Sequence, residues 1–265
     1  MPGSLSLERG LQVLEALRDS GMPIGVRDIA RKLDLSAPAV QRLLNTLAER
    51  GYIEKDDASR RYRIGHGVLT LARNVLYGDR LIRLAEPELT TLAAEGFFNA
   101  FLGVRRGTAG LYLLGIQSKS PVVIRSSPGE TMPLHATALG KALLIDMSEE
   151  AIHAILGDGP LERITPQTVN MPAKLISQIR AARSTGYTTA FDENIIGVLS
   201  VGAPVRDATG GVIGAISVAY PRSVGPEVVT AEIAEKVLAA AARISLGLGY
   251  CREGEEESGE SSDAA

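Results

Sequence analysis

Three polar side chains in the segment 36–53, "SAPAVQRLLNTLAERGYI", have the chemistry to recognise DNA bases. Gln41, Arg42 and Asn45 lie off the apolar stripe that runs along this segment. Carboxamide and guanidinium groups make paired hydrogen bonds to the edges of adenine and guanine in the major groove. The small residues 37–39 keep the first turn slim enough to enter a groove about 12 Å wide. The segment is therefore predicted to be a recognition helix.

A winged helix-turn-helix would position these side chains. Two amphipathic helices precede the segment, in "SLERGLQVLEALRDSG" and "GVRDIARKLDL", and Ser36 is a good N-cap for a third helix that Gly51 ends. Strands at 52–54 and 61–64 then flank a polar turn and carry arginines, which describes a basic wing. The alternative is a small helical domain in which the third helix is merely packed.

The predicted DNA contacts divide into base and phosphate contacts. Arg27 and the wing arginines are expected to touch phosphates. For Arg42 the alternative is a surface salt bridge, for example to Glu49. The full set of predicted DNA-binding residues is Arg27, Ser36, Ala37, Gln41, Arg42, Asn45, Thr46, Arg61 and Arg63.

The charge distribution agrees with a polyanion partner at the front of the chain only. Residues 1–80 hold 13 Lys and Arg against 10 Asp and Glu, a net charge of +3, whereas residues 81–265 hold 15 against 21, a net charge of −6. Six of those acidic residues lie in the tail "REGEEESGESSDAA", which is predicted to be disordered. The basic front is expected to bind double-stranded DNA.

Composition excludes several other classes of protein. A chain of 265 residues with 45% hydrophobic residues is expected to form two globular domains, and no apolar run reaches the ~20 residues that span a bilayer. With no leader-like N-terminus either, the sequence predicts a cytoplasmic protein. One cysteine and three scattered histidines predict no internal disulfide, no metal site and no cofactor.

A connecting helix is predicted over residues 67–84, and Pro87 is expected to begin the next helix. The connector has an apolar stripe that it cannot bury alone, which predicts a dimer contact. A homodimer would set two recognition helices one DNA turn apart, as a palindromic operator requires. The alternative is that the stripe packs against the C-terminal domain of the same chain.

The remainder of the chain is predicted to be an α+β domain. Its hairpin "VGAPVRDATGGVIGAISV" has a Gly-rich turn between two apolar strands, so it is expected to be antiparallel and central. Strands are predicted at 100–104, 110–116, 122–126, 187–191, 199–206 and 212–219, and helices at 136–146, 149–156, 172–185 and 227–247. The helix after "PLH" begins with small residues, so its free N–H groups are expected to attract a carboxylate.

Three motifs stand out in the second half of the chain: "PLHATALGKALL" (133–144), "GYTTAFDE" (186–193) and "GVLSVGAPVRDATGGVIGAISV" (197–218). The front carries "LERGLQVLEAL" and "VQRLLNTLAERGYI". Together these motifs resemble the isocitrate lyase regulator (IclR) family of bacterial transcription regulators. The resemblance covers residues 5–247. The three C-terminal motifs are specific in combination, while many families share the helix-turn-helix.

The resemblance implies a ligand-controlled repressor or activator that binds DNA as a homodimer or a dimer of dimers. Its domains would be the winged helix-turn-helix (1–66), the connecting helix (67–84), a GAF-like effector-binding domain with an antiparallel sheet (85–250) and the acidic tail (251–265). Carried over by position, the effector contacts fall on Thr137, Ala138, Leu139, Ala190, Ser200, Ser217 and Ala219, with apolar walls from Ile124, Met132 and Val198.

Three of these positions depart from the polar pattern of some members. Ala190 stands where an acid can occur, Ser200 where cysteine is frequent, and Ala219 where serine is frequent. Fewer hydrogen-bonding groups predict a more apolar pocket, and hence a bulkier or aromatic organic acid, not a two-carbon oxoacid. For Ser200 and Ser217 the alternative is strand packing, with the hydroxyl bonded to backbone.

Two other functions remain as alternatives. An enzyme acting on a small acid would need a base, and His135 is the only candidate, with a structural or capping role as its own alternative. No "GxSxG", "HExxH" or phosphate-loop motif occurs, and Gly210, Gly211 and Gly214 lie in a hairpin and not between a strand and a helix. An effector-independent DNA-binding protein would leave the second domain without a role.

Overall fold

The computed structural model describes residues 3–95, 98–119, 124–223 and 230–251. The chain divides into two compact units, Met1–Gly78 and Asp79–Ala265. Across these described ranges, no helix has the length and apolarity needed to cross a membrane.

The first unit is a winged helix-turn-helix, as predicted. The left-handed Gly21 ends its first helix, and Asp34 at φ 52° makes the tight turn into the third, where the Ser36 hydroxyl accepts a hydrogen bond from the Ala39 N–H at 3.4 Å. Its elements are α1 (Leu5–Ser20), α2 (Val26–Leu33), α3 (Ala37–Glu49), β1 (Ile53–Lys55), β2 (Tyr62–Ile64) and α4 (Gly67–Gly78).

One apolar core holds this unit together. Strands β1 and β2 pair antiparallel, and Ile24 forms a further bridge to Tyr62, so the wing is fixed to the chain that enters α2. The core joins all three helices to the wing and contains Val13, Leu17, Ile29, Ala30, Val40, Leu44, Ile53 and Tyr62.

Much apolar surface in this unit stays exposed. Helix α4 has no buried residue, and Leu71 is 61% exposed. On α1, the spacing of Leu7, Leu11, Leu14 and Leu17 predicts an apolar stripe. Leu7 and Leu11 are nevertheless exposed, because the helix buries the face that carries Val13, Ala16 and Leu17.

The helix that follows begins earlier than predicted. The stretch 67–84 is not one helix, since Asp79 separates α4 from α5 (Arg80–Glu95), and Pro87 lies inside α5 instead of beginning it. The physical reason is a cap: the Asp79 carboxylate accepts the Leu81 N–H at 2.8 Å, and its carbonyl accepts the Arg83 N–H at 3.2 Å. Pro87 is exposed there.

The second unit is built on one six-stranded antiparallel sheet, so the predicted α+β class is confirmed. Its strand order is β5-β4-β3-β8-β7-β6, with β3 and β8 in the middle. The strands are β3 (Asn99–Arg106), β4 (Ala109–Ile116), β5 (Thr131–Met132), β6 (Thr188–Phe191), β7 (Val198–Arg206) and β8 (Val212–Pro221). The remaining helices are α6 (Ala138–Leu143), α7 (Glu149–Leu156), α8 (Pro172–Thr185) and α9 (Thr230–Gly247).

Alternation along the strands gives the sheet two apolar faces. On β8, Ile216 and Val218 join a core with α5 and α9, whereas Ala215 and Ala219 join a core with α6, α7 and α8. Ser217 shares the second face with Ala215 and Ala219 by the same alternation. The sheet therefore lies between two helical layers.

Three predicted elements differ from the structure. No strand occupies 124–126, and residues 122–123 lie outside the described residues; the unpredicted β5 pairs with β4 instead. The helix predicted at 136–146 has only six residues, Ala138–Leu143. The start of the helix predicted at 227–247, and residues 252–265 of the predicted tail, lie outside the described residues.

Candidate functional site

The outer face of α3 presents the predicted base-contacting side chains. Arg42, Asn45 and Thr46 are exposed, as are Ser36 and Ala37 at the start of the helix. Within the described residues Arg42 has no ion-pair partner, so the salt bridge to Glu49 is not formed. The guanidinium group is therefore available for a partner outside the chain.

Gln41 is tied to the wing. Its amide nitrogen donates to Asn45 Oδ1 at 2.8 Å and to Tyr62 Oη at 3.0 Å, and the side chain is half-buried. Both amide protons are thus engaged, which leaves the carbonyl oxygen of Gln41 as an acceptor. The contact fixes the angle between the recognition helix and the wing.

Two of the wing arginines have partners inside the unit. Arg63 donates to Glu54 Oε2 at 2.9 Å, and Arg61 donates to the Pro23 carbonyl at 3.3 Å. Hydrogen bonds from the side chain and the backbone of His66, and then from Arg63, hold the pKa of Glu54 below its usual value. Arg27 on α2 is exposed and has no ion pair among the described residues. Arg27 is therefore the freer of the predicted phosphate contacts.

A cavity of about 40 Å³ lies between the start of α6, the sheet and the loop after β6. We call it the α6 cavity. Every predicted effector residue except Met132 lines it. The full lining is Phe101, Tyr112, Ile124, Ala136, Thr137, Ala138, Leu139, Ala190, Glu193, Asn194, Ile195, Val198, Ser200, Ser217 and Ala219.

The start of α6 is seated closely on strand β7. A Cβ atom on Gly202 would lie 2.8 Å from the backbone of Ala138, so only glycine permits this approach. Thr188 Oγ1 donates to the Ala138 carbonyl at 2.6 Å. Thr137 caps the helix by accepting the Gly140 N–H at 2.9 Å, and its hydroxyl donates to the Pro133 carbonyl. The start of α6 is therefore fixed by a close backbone approach and by the hydroxyl groups of two threonines.

Met132 lies outside the lining of the α6 cavity. It is buried against the sheet, where a Cβ on Gly103 or Gly110 would clash with its side chain. Its sulfur lies 3.8 Å from the Thr137 hydroxyl oxygen, whose single proton is donated to the Pro133 carbonyl. Met132 therefore packs beside the cap of α6 and is not part of the cavity lining.

The two serines differ in their surroundings. The Ser200 hydroxyl donates to the Ala190 carbonyl on the neighbouring strand at 3.3 Å, as the strand-packing alternative requires. Ser217 is buried and lines the cavity from the central strand β8. Both hydroxyl groups keep acceptor capacity toward the cavity.

Sequence reasoning missed the aromatic part of the lining. Phe101 on β3 and Tyr112 on β4 contact each other with ring centroids 5.5 Å apart and planes tilted by 58°. Burial raises the pKa of the Tyr112 hydroxyl. Their places follow from the pairing of β3 with β8, which brings Phe101 opposite Ser217. The short motifs carry no information about that pairing.

Sequence reasoning also missed Glu193, which forms a buried ion pair. Lys141 Nζ donates to Glu193 Oε1 at 2.6 Å, to Gln178 Oε1 at 2.9 Å and to the Thr189 carbonyl at 3.1 Å. The two side chains are 2% and 7% exposed. Burial lowers the pKa of Lys141, and the charge and hydrogen bond of Glu193 oppose that shift. The pair links α6 to α8, β6 and the loop after β6.

His135 has a structural contact. It is buried, and its Nε2 lies 2.9 Å from the Glu162 carbonyl, on the segment that leads to α8. It does not line the α6 cavity. The geometry is that of a side chain that holds a loop, with no nucleophile placed beside it among the described residues.

Both halves of the chain match one family. Residues 6–57 match the IclR helix-turn-helix domain, and residues 74–246 match the family described as bacterial transcriptional regulator IclR C-terminal. The transcriptional repressor AllR of Escherichia coli K12 is 31% identical over 222 residues, 83% of this chain and 82% of AllR. The transcriptional regulator XynR of the same strain is 30% identical over 250 residues, which cover 94% of this chain and 99% of XynR.

Solved structures show the same fold. An IclR transcriptional regulator from Alicyclobacillus acidocaldarius superposes with a TM-score of 0.81 at 24% identity, over 94% of this chain and all of that one (100%). An IclR homologue from Microbacterium hydrocarbonoxydans was solved in complex with 4-hydroxybenzoate. It superposes with a TM-score of 0.79 at 24% identity, over 92% of this chain and 98% of that one. Since the relatives at 30% identity or above are transcriptional regulators, the enzymatic alternative is excluded.

Proposed function

Because the chain belongs to the IclR family of bacterial DNA-binding transcriptional regulators, we propose that a small organic acid bound in the α6 cavity sets its affinity for a palindromic operator. The observation that carries this proposal is the α6 cavity itself. Residues from β6, β7, β8 and the start of α6 converge on one space beside small side chains. A concave, mostly apolar space with a few convergent polar groups is the ordinary form of a ligand site.

The lining supports an aromatic or bulky acid. Phe101 and Tyr112 supply ring faces, and Ala190 and Ala219 supply no polar group. The related Microbacterium protein binds 4-hydroxybenzoate, which is an aromatic acid. Ile195 forms one wall and is 45% exposed, and we propose that this wall moves outward to admit a ring.

The carboxylate of the acid would be held by individual donors. Helix α6 has six residues, so its dipole is small, and the Thr137 hydroxyl already donates to Pro133. The first N–H groups of a helix have no partner within the helix. We assign the carboxylate to the N–H groups of Ala138 and Leu139, with the Ser217 hydroxyl beside them.

A homodimer would use the exposed apolar residues of the first unit. Leu71 and Val75 on the predicted stripe of α4 are both more than half exposed, as are Leu5, Leu7 and Leu11 on α1. A helix of 12 residues is marginal alone in water, so α4 gains stability from a partner surface. Two-fold pairing would present two α3 helices to a palindromic site.

Operator binding measured by fluorescence anisotropy tests this proposal. The DNA would be the region upstream of the protein's own gene, at fixed salt, with and without a panel of aromatic and aliphatic acids. We expect a salt-dependent specific complex whose affinity one acid shifts by about 5- to 150-fold. By linkage, saturating operator must shift the affinity for that acid by the same factor.

The remaining alternative predicts a different result. An effector-independent DNA-binding protein would bind the operator equally well at every acid concentration. In calorimetry it would also show no acid binding to the free protein. A panel in which only two-carbon oxoacids bind would overturn the preference for aromatic or bulky acids while leaving acid sensing in place.

A further inference from the structure

The carboxylate of Glu193 is only half satisfied. Oε1 accepts the short hydrogen bond from Lys141, whereas Oε2 is buried and has no hydrogen-bond partner among the described residues. Glu193 is 6% exposed and lines the α6 cavity. A buried acceptor without a partner is costly, and more so when it is charged.

The chain fixes Glu193 in this position. Thr168 Oγ1 donates to the Glu193 carbonyl at 2.7 Å, and Thr165 Oγ1 donates to the Asp192 carbonyl at 2.6 Å. Asp192 has a φ of 59°, and its carboxylate accepts the Gly197 N–H at 2.7 Å, which closes the loop after β6. These bonds fix the backbone of Glu193 at the cavity wall, and the hydrogen bond from Lys141 holds its carboxylate.

Lys141 cannot satisfy the second oxygen. An ammonium group has three N–H donors, and Lys141 uses them on Gln178, Thr189 and Glu193 Oε1. No other donor reaches Oε2 among the described residues, and Glu193 lines the α6 cavity together with uncharged side chains, so a group bound in this cavity can supply the donor.

We propose that the effector carries a hydroxyl or N–H group, besides its carboxylate, that donates a hydrogen bond to Glu193 Oε2. This inference rests on the proposed function and narrows the effector to hydroxy- or amino-substituted organic acids. It also orients the ligand, because the carboxylate of the acid and that of Glu193 repel each other. The donor group points to the loop after β6 and the acid group points away from it.

Calorimetry on the wild-type full-length protein tests the proposal without a mutation. The probes are three sets, each with a parent acid and its hydroxy, amino and methoxy derivatives: benzoate substituted at C3, benzoate substituted at C4, and propionate substituted at C2. Methoxy groups accept hydrogen bonds but do not donate them. We expect the hydroxy or amino member of one set to bind about tenfold or more tightly than its parent and its methoxy analogue, since hydrogen bonds to charged groups are strong.

The variant Glu193→Gln gives the second measurement. Its carbonyl oxygen would stay on Lys141, so the cavity would face an amide N–H₂ donor instead of an acceptor. We expect the affinity for the methoxy derivative, relative to the affinity for the hydroxy or amino derivative, to rise about tenfold or more over its wild-type value. Glu162→Gln is the control, since it makes the same change of charge at an exposed residue whose carbonyl alone contacts His135.

The outcomes separate this inference from the proposed function. If parent, hydroxy, amino and methoxy acids bind the wild type equally, the inference is wrong while acid sensing stands. If no acid binds at all, both are wrong. If Glu193→Gln does not fold, the wild-type series alone decides.

Discussion

Among single residues, Lys141 is a buried cation whose three N–H donors are all used within the second unit. It is almost fully buried, and its charge is compensated by Glu193 and two neutral acceptors. Removing one partner of a buried ion pair leaves the other charge uncompensated. We expect Lys141→Met to lower the free energy of unfolding by about 3–5 kcal/mol, measured by urea denaturation followed by circular dichroism.

A double variant checks the cause of that loss. If Lys141→Met acts through the unpaired carboxylate, then adding Glu193→Leu must recover much of the stability, because two apolar side chains can replace a buried pair. Equal stability of the single and double variants would instead assign the loss to packing around α6.

Arg42 is the residue whose environment best fits a contact with DNA. It is exposed on α3 and makes no ion pair within the described residues, unlike Arg63. We expect Arg42→Ala to weaken operator binding by roughly 10- to 100-fold, the cost of one base contact, and to relax sequence preference at one position. Fluorescence anisotropy against operator and scrambled DNA measures both effects.

Arg18→Ala provides the control for charge. Arg18 is exposed on α1 and pairs with Asp19, so the variant removes the same charge from the same unit. A loss of affinity as large as that of Arg42→Ala would indicate a general electrostatic effect. Equal losses on operator and scrambled DNA would assign Arg42 to phosphate and not to bases.

Among elements, the strands show how far the sequence predicts the candidate site. The motif resemblance, carried over by position, predicted Ser217, Ala219 and the start of α6 as one site, and all of them line the α6 cavity. Phe101 and Tyr112 could not be placed, because β3 joins β8 across more than a hundred residues and no local pattern encodes that pairing. Glu193 was missed because its burial depends on Lys141, 52 residues away.

The misplaced elements have local physical causes. Strand β5 has two residues, too few for any period to show. Proline is common in the first turn of a helix, so Pro87 suggested a helix start, but the Asp79 cap begins α5 earlier. The first difference reflects the length of the strand, and the second reflects hydrogen bonds that the sequence pattern does not encode.

Strand β6 allows a matched test of the α6 cavity, because neighbouring residues on it face opposite sides. Ala190 lines the cavity, whereas the side chain of Thr189 does not. We expect Ala190→Val to weaken acid binding about tenfold or more, because two added methyl groups occupy part of a cavity of about 40 Å³. Operator affinity without acid should stay within about twofold of wild type, since coupling acts only through bound acid.

Thr189→Val is the control, because it introduces valine at the neighbouring position of β6, whose side chain faces away from the α6 cavity. Its backbone carbonyl still accepts from Lys141. Calorimetry with the tightest acid of the panel compares the two variants. Equal acid affinity for Ala190→Val and wild type would show that the acid binds outside the α6 cavity.

At the scale of the whole molecule, the proposed function needs acid binding and DNA binding to share one equilibrium. The proposed acid site and the predicted DNA-contacting residues lie in different compact units of the chain. An acid that binds two states of a homodimer with different affinities shifts their populations, and each state offers a different spacing of the α3 helices. Dimerisation through the first unit is the link that this mechanism requires.

We therefore expect Leu71→Glu to dissociate the homodimer and to weaken operator binding at least tenfold. Leu71 is 61% exposed on a helix without a buried residue, so a charge there disturbs no core of the unit and acts on a partner surface. Thr70→Glu is the matched control, because Thr70 is also exposed but lies off the stripe formed by Val68, Leu71, Ala72, Val75 and Leu76. Sedimentation velocity gives the mass, and anisotropy gives the affinity. A Leu71→Glu protein that stays dimeric and binds the operator normally would exclude α4 from the interface.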